Sequence, residues 1–205
     1  MRIMEKKERR LGVKLFLKGD RCIGAKCAMV RRAYAPGIHG AKKRRRGRSS
    51  SEYGELMREK QKMRFLYGLD DRAVKRYVAS ASRAGGVFGV NLIRLIERRL
   101  DVAVRRLGFA PSMPSARQAV THRRIAVNGR VVSSPSYGLK RGDVISFPRR
   151  AGSAEAGMEE RAGIPVSPWF SLGDDGRSAT LIADPEADAG VGIFDAVKIK
   201  EFYSR

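Results

Sequence analysis

The sequence has few of the residues from which most active sites are built. Two cysteines, two histidines and one tryptophan occur in 205 residues, which indicates neither a disulfide framework nor a ligand set for a catalytic metal. A glycine-rich cofactor loop is also missing. We therefore expect a protein that is not an enzyme, and the sparse cysteines favour the reducing cytoplasm.

Long apolar runs and acidic side chains are scarce as well. No run approaches the roughly 18 residues of a membrane-spanning helix, and the N-terminus has no signal-peptide core, so we expect no membrane contact. Aspartate and glutamate number 21 against 43 lysines and arginines, a formal net charge of +22. Residues 151–205 carry twice as many acids as bases, so the positive charge is concentrated in residues 1–150. Such an imbalance indicates a polyanionic partner on a defined face.

Residues 91–150 have the pattern of one small folded module. Apolar residues from Leu92 to Leu107 recur at three- and four-residue steps and predict a single amphipathic helix. Asn91 is its expected N-cap and Gly108 its stop. The arginines of this stretch fall largely off the apolar stripe, so we interpret them as surplus to folding. Asp101 is interpreted as a cap or an ion-pair partner.

The rest of the module predicts a second helix and a short antiparallel sheet. The helix is expected to begin near Ser112 and Pro114, because proline is tolerated in a first turn. Asn128-Gly129 between aliphatic residues predicts a hairpin, since both turn positions need positive φ. A further turn at Arg141–Asp143 precedes another strand.

Residues 1–48 are predicted to form a basic extended arm. Lys42, Lys43, Arg44, Arg45, Arg46 and Arg48 form a run with no acidic neighbour. This run is typical of nucleic-acid contact, although a solvated tail or a nuclear-import signal would look similar. Tyr34 and His39 either stack on bases or act as local packing anchors.

The flanking segments predict a helical domain over 49–90. Ser49 with Glu52 fits a capping box, and Asp70 is expected to cap a second helix that stops at Gly85-Gly86. Residues 151–163 look like a linker or loop. Residues 164–205 predict a hairpin followed by an apolar end that completes the helical domain, so the fold class is α+β with the module inserted.

Cys22 and Cys27 are the candidate metal ligands of the sequence. A closed zinc site needs two more ligands, and His39 is the only nearby candidate besides carboxylates. We expect two ordinary thiols and no cofactor.

The motifs together resemble one family of RNA-binding proteins. The chain is similar to the bacterial-type small-subunit ribosomal protein number four family (the S-four family), and its middle resembles the RNA-binding module named after that family. The matching motifs cover nearly the whole chain: GVKLFLKG at Gly12–Gly19, PGIHG at Pro36–Gly40, SEYGELMREKQKMRFLYG at Ser51–Gly68, Arg106–Ala110, Ala116–Gln118, Val127–Gly129, Pro135–Tyr137, Gly142-Asp143 and the terminal EFYSR. Family members with zinc carry four cysteines; Glu5 and Glu8 stand here at the first pair.

The resemblance implies a structural component of the small ribosomal subunit, cytoplasmic and ribosome-bound. It implies a primary assembly protein that binds a multi-helix junction in the 5′ part of small-subunit rRNA and contributes to decoding accuracy. Implied partners are small-subunit rRNA, ribosomal protein number five, other small-subunit proteins and mRNA near the entry channel. A free-standing RNA-binding or stress factor, or an RNA-modifying enzyme that uses the same module, remains an alternative.

The predicted RNA contacts are basic side chains of the arm, the first helix of the helical domain and the module, with a few polar and aromatic neighbours. Within the module the first choices are Arg98, Arg117, His122, Arg123 and Arg124. The full set is Lys6, Lys7, Arg9, Arg10, Lys14, Lys18, Arg31, Arg32, His39, Lys42, Lys43, Arg44, Arg45, Arg46, Arg48, Tyr53, Arg58, Lys62, Arg98, Arg117, Gln118, His122, Arg123 and Arg124.

Overall fold

Across the residues that the structure describes, eight helices and five short strands form two units, which we describe separately. The computed structural model describes residues 3–40, 51–147, 167–174, 176–185 and 192–204. The helical unit comprises residues 1–92 and 190–205, and the sheet unit comprises residues 93–189. The mixture of helices with a small antiparallel sheet confirms the α+β class. The predicted run at 42–48 and the predicted linker at 151–163 lie outside the described residues.

The elements follow the chain in a simple order. The helices are α1 (Ile3–Leu11), α2 (Ala28–Arg31), α3 (Glu52–Leu66), α4 (Asp71–Arg83), α5 (Phe88–Glu97), α6 (Leu100–Arg106), α7 (Met113–Thr121) and α8 (Ala196–Ser204), with a 3₁₀ turn at Gly19–Cys22. The strands are β1 (Ala126–Val127), β2 (Arg130–Val131), β3 (Val144–Ser146), β4 (Phe170–Leu172) and β5 (Ser178–Leu181).

In the helical unit, side-chain caps set where α3 and α4 begin. Asp70 accepts a hydrogen bond from the Ala73 amide at 2.6 Å, as predicted. The cap of α3 is Ser51, which accepts from the Gly54 amide at 3.3 Å, and not the predicted Ser49. Three consecutive serines, Ser49 to Ser51, precede the helix, and periodicity alone does not fix a helix end to that precision.

The C-terminal helix α8 docks on α3, as the sequence predicted. Ile199 is fully buried, and the Phe202 ring lies 5.6 Å from the Tyr53 ring. The buried Lys60 ammonium lies 4.6 Å from the Phe202 ring and 3.0 Å from an Asp71 carboxylate oxygen. The Asp195 amide donates to a Glu59 carboxylate oxygen at 2.9 Å.

Residues 3–40 differ from the predicted extended arm. They form α1, the 3₁₀ turn and α2, with Leu15, Leu17, Cys22 and Cys27 buried. The buried Glu8 carboxylate accepts hydrogen bonds from the Leu15 and Leu17 amides, at 3.0 and 3.2 Å. A few buried apolar side chains and one buried carboxylate therefore stabilise a folded conformation of this basic segment.

The sheet unit has one continuous core below an antiparallel sheet. The strand order is β2-β1-β3-β5-β4. Leu100, Ile125, Ile145 and Leu181 are almost fully buried in the main cluster, and each such side chain contributes about 1.5–3 kcal/mol of burial free energy. The predicted hairpin turn is confirmed at Asn128 and Gly129, with φ of 50° and 76°.

Two predictions about this unit are wrong. The strands at 170–172 and 178–181 do form a hairpin, but β5 pairs with β3 through Ile145 and Ala179, so the hairpin extends the module sheet instead of completing the helical domain. The helix predicted to start from an Asn91 cap is two helices. The first, α5, already begins at Phe88, so Asn91 lies inside it and is not its cap. The second begins at Leu100, because Arg99 is extended and the Leu100 amide bonds to the Tyr137 carbonyl at 2.9 Å.

Candidate nucleic-acid interface

Helix α7 presents a basic edge because its opposite face is needed for the core. Ser112 caps the helix by accepting from the Ser115 amide at 3.4 Å. Ala116 and Val120, one turn apart, are fully buried. Arg117 and Gln118 consequently point away from the core and are exposed.

Three further candidates, His122, Arg123 and Arg124, directly follow the end of α7. Arg123 has a φ of 57°, in the left-handed region that glycine normally occupies after a helix. Its amide bonds to the Val120 carbonyl at 2.9 Å, and the Arg124 amide bonds to the Ala119 carbonyl at 3.0 Å. An arginine in this conformation costs free energy, and such positions are concentrated at functional sites. His122, Arg123 and Arg124 are all exposed.

We name the edge formed by Arg117, Gln118, His122, Arg123 and Arg124 the α7 edge. Within the described ranges, none of these five side chains has a hydrogen-bond or ion-pair partner. Four of the five first-choice contacts of the module are therefore free to bind an anion. A guanidinium group offers five donors in a planar fork, which matches phosphate oxygens.

The fifth first choice, Arg98, is engaged by the chain itself. Its Nη2 donates to Asp184 Oδ1. Arg99 pairs with Asp101 and Arg106 pairs with Glu97, whose carboxylates are both buried. The interpretation of these arginines as surplus to folding is wrong, because they neutralise acids inside the module. The predicted ion-pair role of Asp101 is confirmed.

Further cations lie where two turns meet, and sequence reasoning missed them. Asn128 donates to Asp143 Oδ1 at 2.9 Å and accepts from the Val144 amide at 2.9 Å, which ties the hairpin turn to the turn before β3. Three exposed side chains flank these turns and have no partner in the described part of the chain: Arg130, Lys140 and Arg141. In the sequence, the only sign of these three cations was their place beside the predicted turns.

Helix α4 carries a second missed set. Ala73, Val74, Val78 and Ala81 face the core of the helical unit. Exposed on the outer side, and without a partner among the described residues, are Arg72, Lys75, Arg76 and Arg83, which we name the α4 stripe. Their helical spacing was readable from the sequence and is the signal that could have found them.

The N-terminal candidates divide into free and engaged side chains. Lys18 pairs with Glu5 at 3.0 Å. Arg9 Nε donates to the Arg32 and Tyr34 carbonyls, and its guanidinium lies 5.0 Å from the Tyr34 ring, so Tyr34 packs within its own chain. Lys7 and Lys14 lie over the rings of Phe65 and Phe16. The exposed side chains without a partner in the described ranges are Lys6, Arg10, Arg31, Arg32 and His39.

The α3 candidates are also mixed. Arg58 is exposed and has no partner among the described residues. Lys62 pairs with Glu59 at 2.7 Å, and Tyr53 stacks on Phe202. The candidates at 42–48 lie outside the described residues, so the structure says nothing of them.

The two cysteines are buried thiols. Burial raises the pKa of the Cys22 thiol, with smaller opposing and reinforcing effects from the Lys18 amide, Glu8 and Cys27. Its sulfur accepts from the Lys18 amide at 3.4 Å. Among the described residues no group of three histidine, cysteine or acidic side chains is placed to hold a metal. The absence of a cofactor stays a prediction.

A further finding concerns membranes: none of the described helices has the length and apolar character needed to span one.

Comparisons with known proteins are consistent across the chain. The family described as "Ribosomal protein S4/S9 N-terminal domain" matches residues 3–97, and the "S4 domain" matches residues 98–145. A Desulfitobacterium hafniense protein is 45% identical over 182 residues, 88% of this chain and 86% of the relative. Proteins of Thermus thermophilus and Pelotomaculum thermopropionicum are 43% and 44% identical over 201 residues, covering 96% of this chain and 94% of each relative. Each relative is named "Small ribosomal subunit protein uS4".

Proposed function

Because the chain belongs to the uS4 family of small ribosomal subunit proteins, we propose that it is a structural rRNA-binding component of the small ribosomal subunit. It holds folded RNA on its basic surfaces and acts by binding, without catalysis. In the cell it is bound to ribosomes in the cytoplasm.

The observation that carries this proposal is the α7 edge. Arg117 lies on the solvent side of α7, whose opposite face packs in the core, and His122, Arg123 and Arg124 directly follow the end of that helix. No carboxylate of the described chain neutralises these four side chains. Other arginines of the same unit are paired with buried acids. The α7 edge is therefore available to bind an external anion. Each contact with an RNA phosphate releases condensed counterions, which favours binding and makes it dependent on salt.

The chemistry of the α7 edge suits RNA. A-form helices hide their base edges in a deep, narrow groove, so proteins read phosphates, 2′-hydroxyls and the shape of junctions. Arginines supply phosphate contacts, whereas Gln118 and His122 offer donors and acceptors for a 2′-hydroxyl. A mixed edge of this kind recognises a shaped RNA backbone better than a base sequence.

The finer role extends the family resemblance. The target is a multi-helix junction in the 5′ part of small-subunit rRNA, bound early in assembly. Ribosomal protein number five is a neighbour, other cations lie near the mRNA entry, and the chain contributes to decoding accuracy.

A binding experiment tests the α7 edge. Changing Arg117, Arg123 and Arg124 together to glutamine should flatten the slope of log affinity against log salt by about 2 to 3, since each phosphate contact contributes roughly 0.7–0.9. The matched control changes the same three residues to lysine, which keeps the charge and most of the slope. The RNA is a transcript of the 5′ domain, with an unrelated structured RNA of equal length as competitor. An unchanged slope in the glutamine variant would reject this face.

Sedimentation tests the ribosomal role. In a lysate gradient most of the protein should travel with small subunits at near-equimolar amounts and resist moderate salt. A free-standing RNA factor would be scarce on that particle, and finding most of the protein at the top of the gradient would contradict the proposal.

A further inference from the structure

Arg94, in α5, and Arg98, directly after the end of α5, form a pair of cations within the sheet unit. They are one helical turn apart, and the Arg98 amide bonds to the Arg94 carbonyl at 3.1 Å. Asp184 is the acid that faces both. Its position is fixed by the preceding backbone, because the Ile182 and Ala183 amides donate to the Trp169 carbonyl, at 2.9 and 3.4 Å.

Asp184 satisfies this pair only in part. It accepts from Arg98 Nη2, whereas the distance from Arg94 Nε to Asp184 Oδ2 is 3.7 Å, too long for a hydrogen bond. The Nε atoms of Arg94 and Arg98 are both buried, and neither has a hydrogen-bond partner in the described part of the chain. One negative charge thus faces two positive charges, with buried donors left over.

The pair is open to a larger ligand. The side chains of Arg94, Arg98 and Asp184 are 39%, 33% and 38% exposed, so an anion from solvent can reach the guanidinium groups. A phosphodiester offers two charged oxygens on a tetrahedral centre and can bridge two guanidinium groups. A carboxylate on a short side chain reaches one of them here.

We propose that Arg94 and Arg98 form a phosphate clamp for RNA, and that Asp184 occupies this clamp in the free protein as an internal competitor. The RNA backbone displaces Asp184 on binding. The inference rests on the proposed RNA-binding function. It adds a specific phosphate site and an acidic side chain of the same chain that competes with RNA for it. It also explains how Arg98, paired within the chain, still acts as an RNA contact.

The test removes the competitor without removing the clamp. Asp184→Asn keeps the shape of the side chain and abolishes its charge. The RNA affinity should rise about 5-fold or more, the lower end of usual coupling between sites. The slope of log affinity against log salt should change little, because Arg94 and Arg98 contact phosphate in the wild-type complex as well. The matched control is Asp174→Asn, an exposed acid of the hairpin turn in the same unit, which changes net charge equally and should give a much smaller gain.

Two further measurements close the test. In an Arg94→Gln, Arg98→Gln background, Asp184→Asn should give no gain beyond the Asp174→Asn control. In the intact protein, the ¹⁵N resonances of Arg94 and Arg98 Nε should shift when 5′-domain RNA is added, which requires no variant to fold.

The outcomes separate the two proposals. If wild-type protein binds RNA but Asp184→Asn behaves as Asp174→Asn does, or if the Nε resonances do not move, the clamp is rejected and the proposed function stands. If wild-type protein shows no salt-dependent binding to the RNA, the proposed function itself fails.

Discussion

Arg99 and Asp101 form a two-point ion pair inside the sheet unit, with Nε 2.9 Å from Oδ1 and Nη2 2.7 Å from Oδ2. Their side chains are 5% and 1% exposed. Asp101 Oδ1 also accepts from the Val102 amide at 3.0 Å, so the pair secures the first turn of α6. It lies where the chain leaves one helix for the next.

Breaking this pair should destabilise the protein strongly. Removing one partner leaves a buried charge uncompensated, which costs about 3–5 kcal/mol. We expect Asp101→Asn to lower the free energy of unfolding by that amount in a urea titration. Arg117→Gln, on the exposed α7 edge, is the control and should change it by about 0.5 kcal/mol or less. Similar unfolding midpoints for the two variants would contradict the structural role of the pair.

The buried carboxylate of Glu8 should hold the loop after α1. Glu8→Ala leaves the Leu15 and Leu17 amides without an acceptor, at about 1–3 kcal/mol for each. Glu8→Gln keeps an acceptor oxygen and should lose less stability. Hydrogen exchange checks this directly: the two amides should exchange much faster in the alanine variant than in the glutamine variant. Equal protection in both would show that the carboxylate does not hold them.

Glu5 should make the helical unit sensitive to acid. Burial favours a higher pKa for Glu5, but the hydrogen bond from Lys18 and the charges of Lys18 and Arg21 outweigh it and hold the pKa below its ordinary value of 4.5. The folded state therefore binds fewer protons than the unfolded state near that pH. The stabilisation is complete above the unfolded pKa and is lost as pH falls through the folded one.

The Glu5→Gln variant tests this linkage. The difference in unfolding free energy between wild type and variant should be constant above about pH 6 and shrink as pH falls below about 4.5. Chemical denaturation in a series of buffers measures it. A difference that does not change with pH would mean that Glu5 has no lowered pKa.

Local chemistry made much of the fold predictable. Asp70, Ser112 and Asn128-Gly129 are signals that act within a few residues, and each has its predicted role. Capping groups and positive-φ turns depend little on the remaining chain. The exposed positions of Arg117 and Gln118 could be predicted in the same way, because helical periodicity separates the core face from the solvent face.

Non-local pairing was out of reach of the sequence. Strand β5 pairs with β3 through Ala179 and Ile145, and the sequence of neither strand indicates which strand it pairs with. The partner of Arg98 is Asp184, which is distant in the sequence, so its engagement was invisible to a local pattern. Charge counts therefore overestimated how many arginines of the module are free.

The α4 stripe should be a second RNA contact, on the helical unit. Arg72, Arg76 and Arg83 are exposed, lie on one side of the helix and have no partner among the described residues. Changing these three to glutamine should flatten the salt slope of binding to 5′-domain RNA by about 2 to 3. The unfolding free energy should change by no more than about 0.5 kcal/mol for each substitution.

Two comparisons make this prediction specific. The lysine variants of the same three positions should bind with nearly the wild-type slope, because the charge is kept. Combining the glutamine changes with those at Arg117, Arg123 and Arg124 should reduce the slope by about the sum of the two effects, since sites that share no partner act independently. If the α4 stripe is merely solvated, the salt slope of RNA binding will be unchanged in every α4 variant. That result would show that the α4 stripe does not contact the RNA.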